Sequence, residues 1–181
     1  MDHLIDELTF YSRMDSNRIP YHFEKVNAAD YFADCATEVS MDLENRQIQF
    51  LQDISIADDT VILIDRQQVK RVFQNLFDNA VKYMDKPDGR ITFSVFDESD
   101  EVHIRISDNG KGIAEEDLPH IFERMYRGDA SRSSSVKGSG LGLAITKKIV
   151  EDHGGSISAV SGEKEGTTID VTLKRYREDR R

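Results

Sequence analysis

Four clusters in this chain combine residue types and spacings that could hold a phosphorylated ligand. The first is RVFQNLFDNAVKYMD, residues 71–85. On a wheel advancing about 100° per residue, Val69, Val72, Phe73, Leu76, Ala80 and Met84 share one face of a helix. Asn75, Asn79, Lys82 and Tyr83 form a stripe along its margin. Asn is a mediocre helix former, and amides at the edge of a core need partners. A hard cation carrying phosphate oxygens would account for them: Mg²⁺ takes one or two protein oxygens plus phosphates, and Lys82 can pair with phosphate as a point charge. A solvated helix edge is the plain alternative.

The second cluster is SDNGKGI, residues 107–113, at the end of a strand. Gly110 and Gly112 permit a tight turn with close backbone approach. Asp108 offers an acceptor suited to an exocyclic amine such as that of adenine, and Ile113 offers an apolar contact to a ring. Such a sequence is also compatible with an ordinary turn. The third is HIFERMYRGD, where Arg124 and Arg127 flank Tyr126 and follow Phe122. Arginines on a lid suit a triphosphate, and the aromatic residues can latch that lid to the body. A charged surface turn is the alternative there.

The fourth is KGSGLGLAI, residues 137–145, with Gly138, Gly140 and Gly142 ahead of an apolar run. A P-loop needs GxxxxGK followed by Ser or Thr, which is absent here. A dinucleotide fingerprint needs GxGxxG after a strand, and here the third glycine comes one residue early and follows a polar loop. What remains is close approach of backbone N–H groups to an anion at a helix amino end. A flexible hinge is equally compatible with the motif taken alone.

The elements that position these clusters read as follows. Leu4, Leu8 and Tyr11 suggest a helix end that Pro20 stops and that has little to pack against locally. A short extended YHFEKV precedes an amphipathic helix from Ala28 to Arg46, with Tyr31, Phe32, Cys35, Val39 and Leu43 on one side. IQFLQDIS and TVILID read as strands around Ala57-Asp58-Asp59, and a long helix runs from about Arg66 to Met84. RITFSVFD and EVHIRISD alternate as an antiparallel hairpin around Glu98-Ser99-Asp100. Residues 109–140 read as a long mobile loop carrying short helical turns such as EEDLPHIF. A helix from Leu141 to His153 stops at Gly154-Gly155, and SISAVS and TTIDVTL close the fold around GEKEG. KRYREDRR reads as solvated charge. This order predicts an α+β two-layer sandwich, with helices on one face of a mostly antiparallel mixed sheet.

With 181 residues and 38% hydrophobic content, one domain is expected. Lys and Arg total 24 against 34 for Asp and Glu, a net charge of −10, which argues against nucleic-acid binding. Cys35 is the single cysteine, so neither an intramolecular disulfide nor a multi-cysteine zinc site is expected, in keeping with a cytoplasmic location. No apolar run approaches the ~20 residues of a membrane helix.

Taken together and in this order, NLFDNAVKY, DNGKGI, IFERMYRGD and GSGLGLAI resemble the N box, first glycine box, F box and second glycine box of bacterial sensor histidine kinases. The resemblance implies a Bergerat-type ATP-binding fold with a mobile ATP lid over roughly residues 21–175, followed by a charged tail at 176–181. Residues 1–20 resemble the end of the dimerization and phosphoacceptor hairpin and its linker, without an H box or a histidine in that context. It further implies Asn79 as the Mg²⁺ ligand, with Asn75, Lys82 and Tyr83 around the phosphates. Asp108, Gly110, Gly112 and Ile113 would hold adenine, and Gly138, Gly140, Leu141 and Gly142 the lid hinge and phosphates. Asn75, Lys82, Arg124 and Arg127 form the expected catalytic set, one of the arginines approaching the γ-phosphate. The implied ligands are ATP and Mg²⁺; the implied partners are the phosphoacceptor hairpin and, in a full two-component phosphorelay, a response regulator. Rival readings within the same fold are a hydrolysing ATPase, a nucleotide-binding regulatory module that transfers nothing, and an anti-sigma-type serine kinase.

Overall fold

Alternation over 90–95 and 101–107 sets most apolar residues on one side, Phe96 being the exception on the other. In the computed structural model, which describes residues 8–10, 12–13, 19–126 and 139–178, these segments are β4 (Arg90–Glu98) and β5 (Glu101–Asp108), paired antiparallel. Register places Phe93 opposite Ile106 and Val95 opposite Ile104, so one buried face is continuous across both strands. Ser99 makes the turn at a φ of 58°. The same alternation continues through β7 (Gly166–Lys174), where Ile169 and Val171 pair with Ile106 and Ile104, and outward to β6 (Ser156–Gly162).

The remaining elements are β1 (Glu24–Asn27), α1 (Ala28–Asn45), β2 (Gln49–Ser55), β3 (Val61–Ile64), α2 (Arg66–Lys82), a 3-10 turn (Leu118–His120) and α3 (Gly142–Asp152). Five strands form one sheet in the order β2-β4-β5-β7-β6, antiparallel except for the parallel β2–β4 pair. The expected two-layer α/β sandwich with a mostly antiparallel mixed sheet is therefore the observed one. β2 and β3, adjacent in sequence, belong to different sheets: β3 pairs with β1 in a separate two-stranded ribbon.

Each helix carries a start signal in its sequence or owes its start to the loop before it. The Asn27 side chain caps α1 by accepting from Asp30 N–H at 3.0 Å. Asp65 Oδ1 caps α2 by accepting from Gln67 and Gln68 N–H, each at 3.0 Å, a motif that contributes about 1 kcal/mol. α3 has no side-chain cap. Between the layers, Phe32, Phe73 and Phe93 pack together with ring centroids 5.5 to 6.4 Å apart, all fully buried. Full burial of one such ring contributes roughly 1.5–3 kcal/mol.

Two expectations about the chain ends need correction. Residues 8–10 and 12–13 are helical, and Phe10 is buried beneath the Arg71 guanidinium of α2, 4.3 Å from the ring centroid. This helix therefore does pack on the domain. The segment after β7 is also anchored: Tyr176 N–H donates to Val61 O at 2.7 Å, and Arg175 pairs with Asp97 at 3.1 Å. These contacts tie the two-stranded ribbon to the large sheet. No helix among the described residues is long and apolar enough to cross a membrane.

Candidate functional site

The margin of α2 is where the sequence places its polar stripe. Val69, Val72, Phe73, Leu76 and Ala80 are buried on the core side, joined by Phe77, while Met84 packs partly against them. Asn75 is buried as well, and its Nδ2 donates to Gly142 O at 3.3 Å and Thr146 Oγ1 at 3.4 Å. One amide thus ties the middle of α2 to the first turn of α3. Asn79 is half-buried one turn later, and Lys82 is exposed. Tyr83 forms the C-cap, donating its N–H to Asn79 O at 3.1 Å. The Lys82 ammonium lies 5.1 Å from the Tyr83 ring centroid.

The turn after β5 is built directly against this helix end. Lys111 N–H donates to Tyr83 O at 3.3 Å, and a Cβ on Gly110 would sit 2.7 Å from that same oxygen. Gly112 has a φ of 73°, and a Cβ there would lie 1.9 Å from Gly162 O. Both glycines are thus required, one by close approach and one by backbone conformation as well. Asp108 Oδ1 accepts from Gly110 N–H at 2.8 Å and from Thr167 N–H at 3.3 Å. Burial pushes the Asp108 carboxyl above the ordinary carboxylate range, against the lowering effect of those two N–H groups. Its second oxygen keeps its acceptor capacity. Ile113 N–H donates to Ser161 Oγ at 2.8 Å, which fixes the exit of the turn.

At the second glycine cluster, Gly140 has a φ of 73° and its carbonyl accepts from Met125 N–H at 3.1 Å. A Cβ on Gly140 would come within 3.1 Å of Met125 Cα, so the chain after the 3-10 turn lies directly on the glycine. Leu141 is fully buried and leads into α3, its N–H donating to Ser139 Oγ at 3.1 Å. No side chain among the described residues caps α3, which leaves its first turn suited to receive an anion. Phe122 packs partly against the core, Tyr126 donates its hydroxyl to Asp117, and Arg124 is exposed. Arg127 and Gly138 lie outside the described residues.

Residues 64–177 match the family model described as histidine kinase-, DNA gyrase B-, and HSP90-like ATPase. The chain belongs to this family. Among its curated relatives, the sensor histidine kinase WalK of Bacillus subtilis is 34% identical over 181 residues, covering 99% of this chain and 29% of its own length. The sensor protein VanSC of Enterococcus gallinarum is 36% identical over 137 residues, covering 71% of this chain and 37% of its own. The chain therefore spans about a third of these relatives. Among solved structures, the mycobacterial sensor histidine kinase MprB superposes with a TM-score of 0.69 at 26% identity, covering 86% of this chain and 100% of that one. Within the histidine kinase-like ATPase family, these relatives identify the chain as an ATP-binding catalytic domain of the sensor histidine kinase type.

Several residues of the site escape motif reading. Thr167 supplies the second N–H to Asp108, and Ser161 both accepts from Ile113 and donates to Gly166 O at 2.7 Å. Gly166 has a φ of 90°, and a Cβ there would fall 2.0 Å from Asp108 O. Their only signal in the sequence is a glycine beside Thr167 and Thr168 at the start of a strand. The pairing of β5 with β7 brings that strand start to Asp108.

Proposed function

We propose that the chain binds Mg-ATP between the end of α2, the turn at 108–113 and the amino end of α3, and presents the γ-phosphoryl group to a phosphoacceptor histidine. The observation that carries this reading is that α2 is bonded to both glycine clusters at once. Tyr83 O meets the 108–113 turn and Asn75 meets Gly142, so one rigid helix sets the spacing between the adenine and phosphate ends of the site.

Asp108 would accept from the adenine amino group, and Ile113 would pack against the ring. Lys82 and Tyr83 would face the phosphates, with Arg124 or Arg127 approaching the γ-phosphate. Asn79 suits a hard cation: its amide oxygen is a neutral hard donor at the site margin, half-buried, one turn before Lys82. Among the described residues no cluster of three or more His, Cys, Asp or Glu side chains offers another cation site. A Mg²⁺ ion held by Asn79 would supply charge neutralisation at the phosphates.

The transfer itself forms a bond from an imidazole nitrogen to the γ-phosphorus as the bond to the bridging oxygen breaks and ADP leaves. Such a reaction needs positioning and charge neutralisation more than covalent help, which is what Lys82, Tyr83 and the α3 amino end offer. The acceptor histidine would stand on a dimerization hairpin of the same kinase, and a response regulator would take the phosphoryl group from there. Incubating the 181-residue chain with γ-labelled ATP, with and without a hairpin bearing an H box, tests the reading. Acid-labile label on the hairpin alone is expected. Steady phosphate release with no transfer would favour the hydrolase reading, and strong self-labelling without the hairpin would overturn the proposal.

A further inference from the structure

Lys111 stands between the two glycines of the adenine-side turn, half-buried, with its ammonium 4.9 Å from the Tyr83 ring centroid. Lys82 approaches the same ring from α2 at 5.1 Å. Two ammonium groups from different elements therefore converge on one phenol ring. The Lys111 backbone is pinned from both sides, its N–H donating to Tyr83 O at 3.3 Å and its carbonyl accepting from Lys164 N–H at 2.7 Å. The direction in which its side chain leaves the turn is thus set by the fold.

In an acidic chain, lysines ordinarily find carboxylates, and several here do. Lys25 pairs with Glu178, Lys70 with Glu38, Lys147 with Glu151 and Lys148 with Asp152. Lys82 and Lys111 make no ion pair among the described residues; the contact recorded for each ammonium is the ring of Tyr83. Cation–π attraction to a partly exposed tyrosine is weak. Two such cations lie within about a Debye length of each other and repel, unless an anion joins them.

We infer that Lys111 is a phosphate-binding residue of the nucleotide site, a second ammonium that joins Lys82 beside Tyr83 in taking the anionic groups of ATP. This rests on the nucleotide-binding reading above. Lys111 would then set how strongly affinity depends on phosphate, while Asp108 sets recognition of the base.

The test is calorimetric titration of the 181-residue chain and its Lys111→Gln and Lys111→Arg variants with ATP and with adenosine. Lys111→Gln should weaken ATP on the order of tenfold, leave adenosine unchanged, and lose its deficit as salt rises. Lys111→Arg should retain most of the ATP affinity. Equal weakening for ATP and adenosine would overturn the inference by showing that the substitution only deforms the turn, and unchanged ATP affinity would overturn it directly. If the unsubstituted chain binds neither ligand, the nucleotide-site reading itself fails. Normal binding by the parent together with an unaffected Lys111→Gln variant removes only the role of Lys111.

Discussion

Replacing Asp108 with Asn separates the two tasks open to this carboxylate. Oδ1 is engaged by Gly110 and Thr167 N–H groups at 2.8 and 3.3 Å, and the amide oxygen of Asn can keep both bonds. The Asn NH₂ then replaces Oδ2, the acceptor proposed for the adenine amino group. A hydrogen bond to a charged acceptor contributes about 1.5–3 kcal/mol, so the ATP dissociation constant should rise roughly ten- to 150-fold. Inosine triphosphate, which carries a carbonyl oxygen where adenine carries the amine, should gain relative to ATP because the Asn NH₂ can donate to it. Stability should move the other way. Burial raises the Asp108 pKa, so the folded state holds this proton more readily than the unfolded chain. Its contribution therefore falls as pH rises from the ordinary carboxylate range through the raised value, and stays reduced above it. Asn avoids that loss, and the variant should melt no lower than the parent at neutral pH. Calorimetric titration with both nucleotides and a thermal melt at pH 7 give the two readouts. Parent-like ATP affinity with an unchanged preference over inosine triphosphate would refute the base-recognition argument, and a large drop in melting temperature would refute the argument that the neutral side chain suffices for the turn.

Gly112→Ala and Gly154→Ala differ in space rather than backbone: φ is 73° and 72°, but the added Cβ meets Gly162 O at 1.9 Å in the first and nothing nearer than Lys174 Cδ at 3.9 Å in the second. Thermal melts should show a loss of about 1–2 kcal/mol for Gly154→Ala and at least twice that for Gly112→Ala, whereas equal losses would contradict the close approach. Gly140→Ala combined with Gly142→Ala should weaken ATP binding about tenfold while the sandwich still unfolds cooperatively, since Gly140 has a φ of 73° against Met125; normal affinity in the double variant would remove the hinge assignment. His153 donates from Nδ1 to Ile149 O at 2.7 Å and accepts at Nε2 from Asp65 N–H at 3.0 Å, an arrangement open only to the neutral ring. Burial lowers its pKa despite the nearby Asp65 and Asp152 carboxylates, so the unfolded chain takes up a proton that the fold resists, and stability falls as pH drops through and below the ordinary value of 6.5. Melting curves at pH 7.5 and 5.5 should show a larger acid loss for the parent than for His153→Gln, and identical losses would exclude His153 as the source.

How much could be read along the chain depended on the range of the interaction. The hairpin of β4 and β5 is visible in its alternation because a strand's period belongs to consecutive residues, and α2 is visible in its apolar face for the same reason. Most element ends shifted by only a residue or two, as where α2 gives way to Tyr83 as its C-cap instead of running to Met84, while β1 starts three residues later than YHFEKV. β2 and β3 were equally visible as strands, yet nothing local told that they part into different sheets. β2 joins β4 in parallel, which requires the chain to pass through β3 and α2 first. The anchoring of Phe10 and Tyr176 is invisible along the chain for a related reason: both make their contacts with residues more than fifty positions away.

The site divides along the same line. Residue types and spacing within about ten positions were enough to single out the polar residues along α2, the DNGKGI turn and the glycines ahead of α3, since each is a local pattern with its own residue demands. Only the folded chain brings Tyr83 O onto Gly110, Asn75 onto Thr146, Thr167 N–H onto Asp108 and Lys111 onto the ring that Lys82 also approaches. Those contacts depend on which strands pair and how the helices lie on them. That choice is made by burial of the whole apolar face at once, a sum over the chain that no single segment carries.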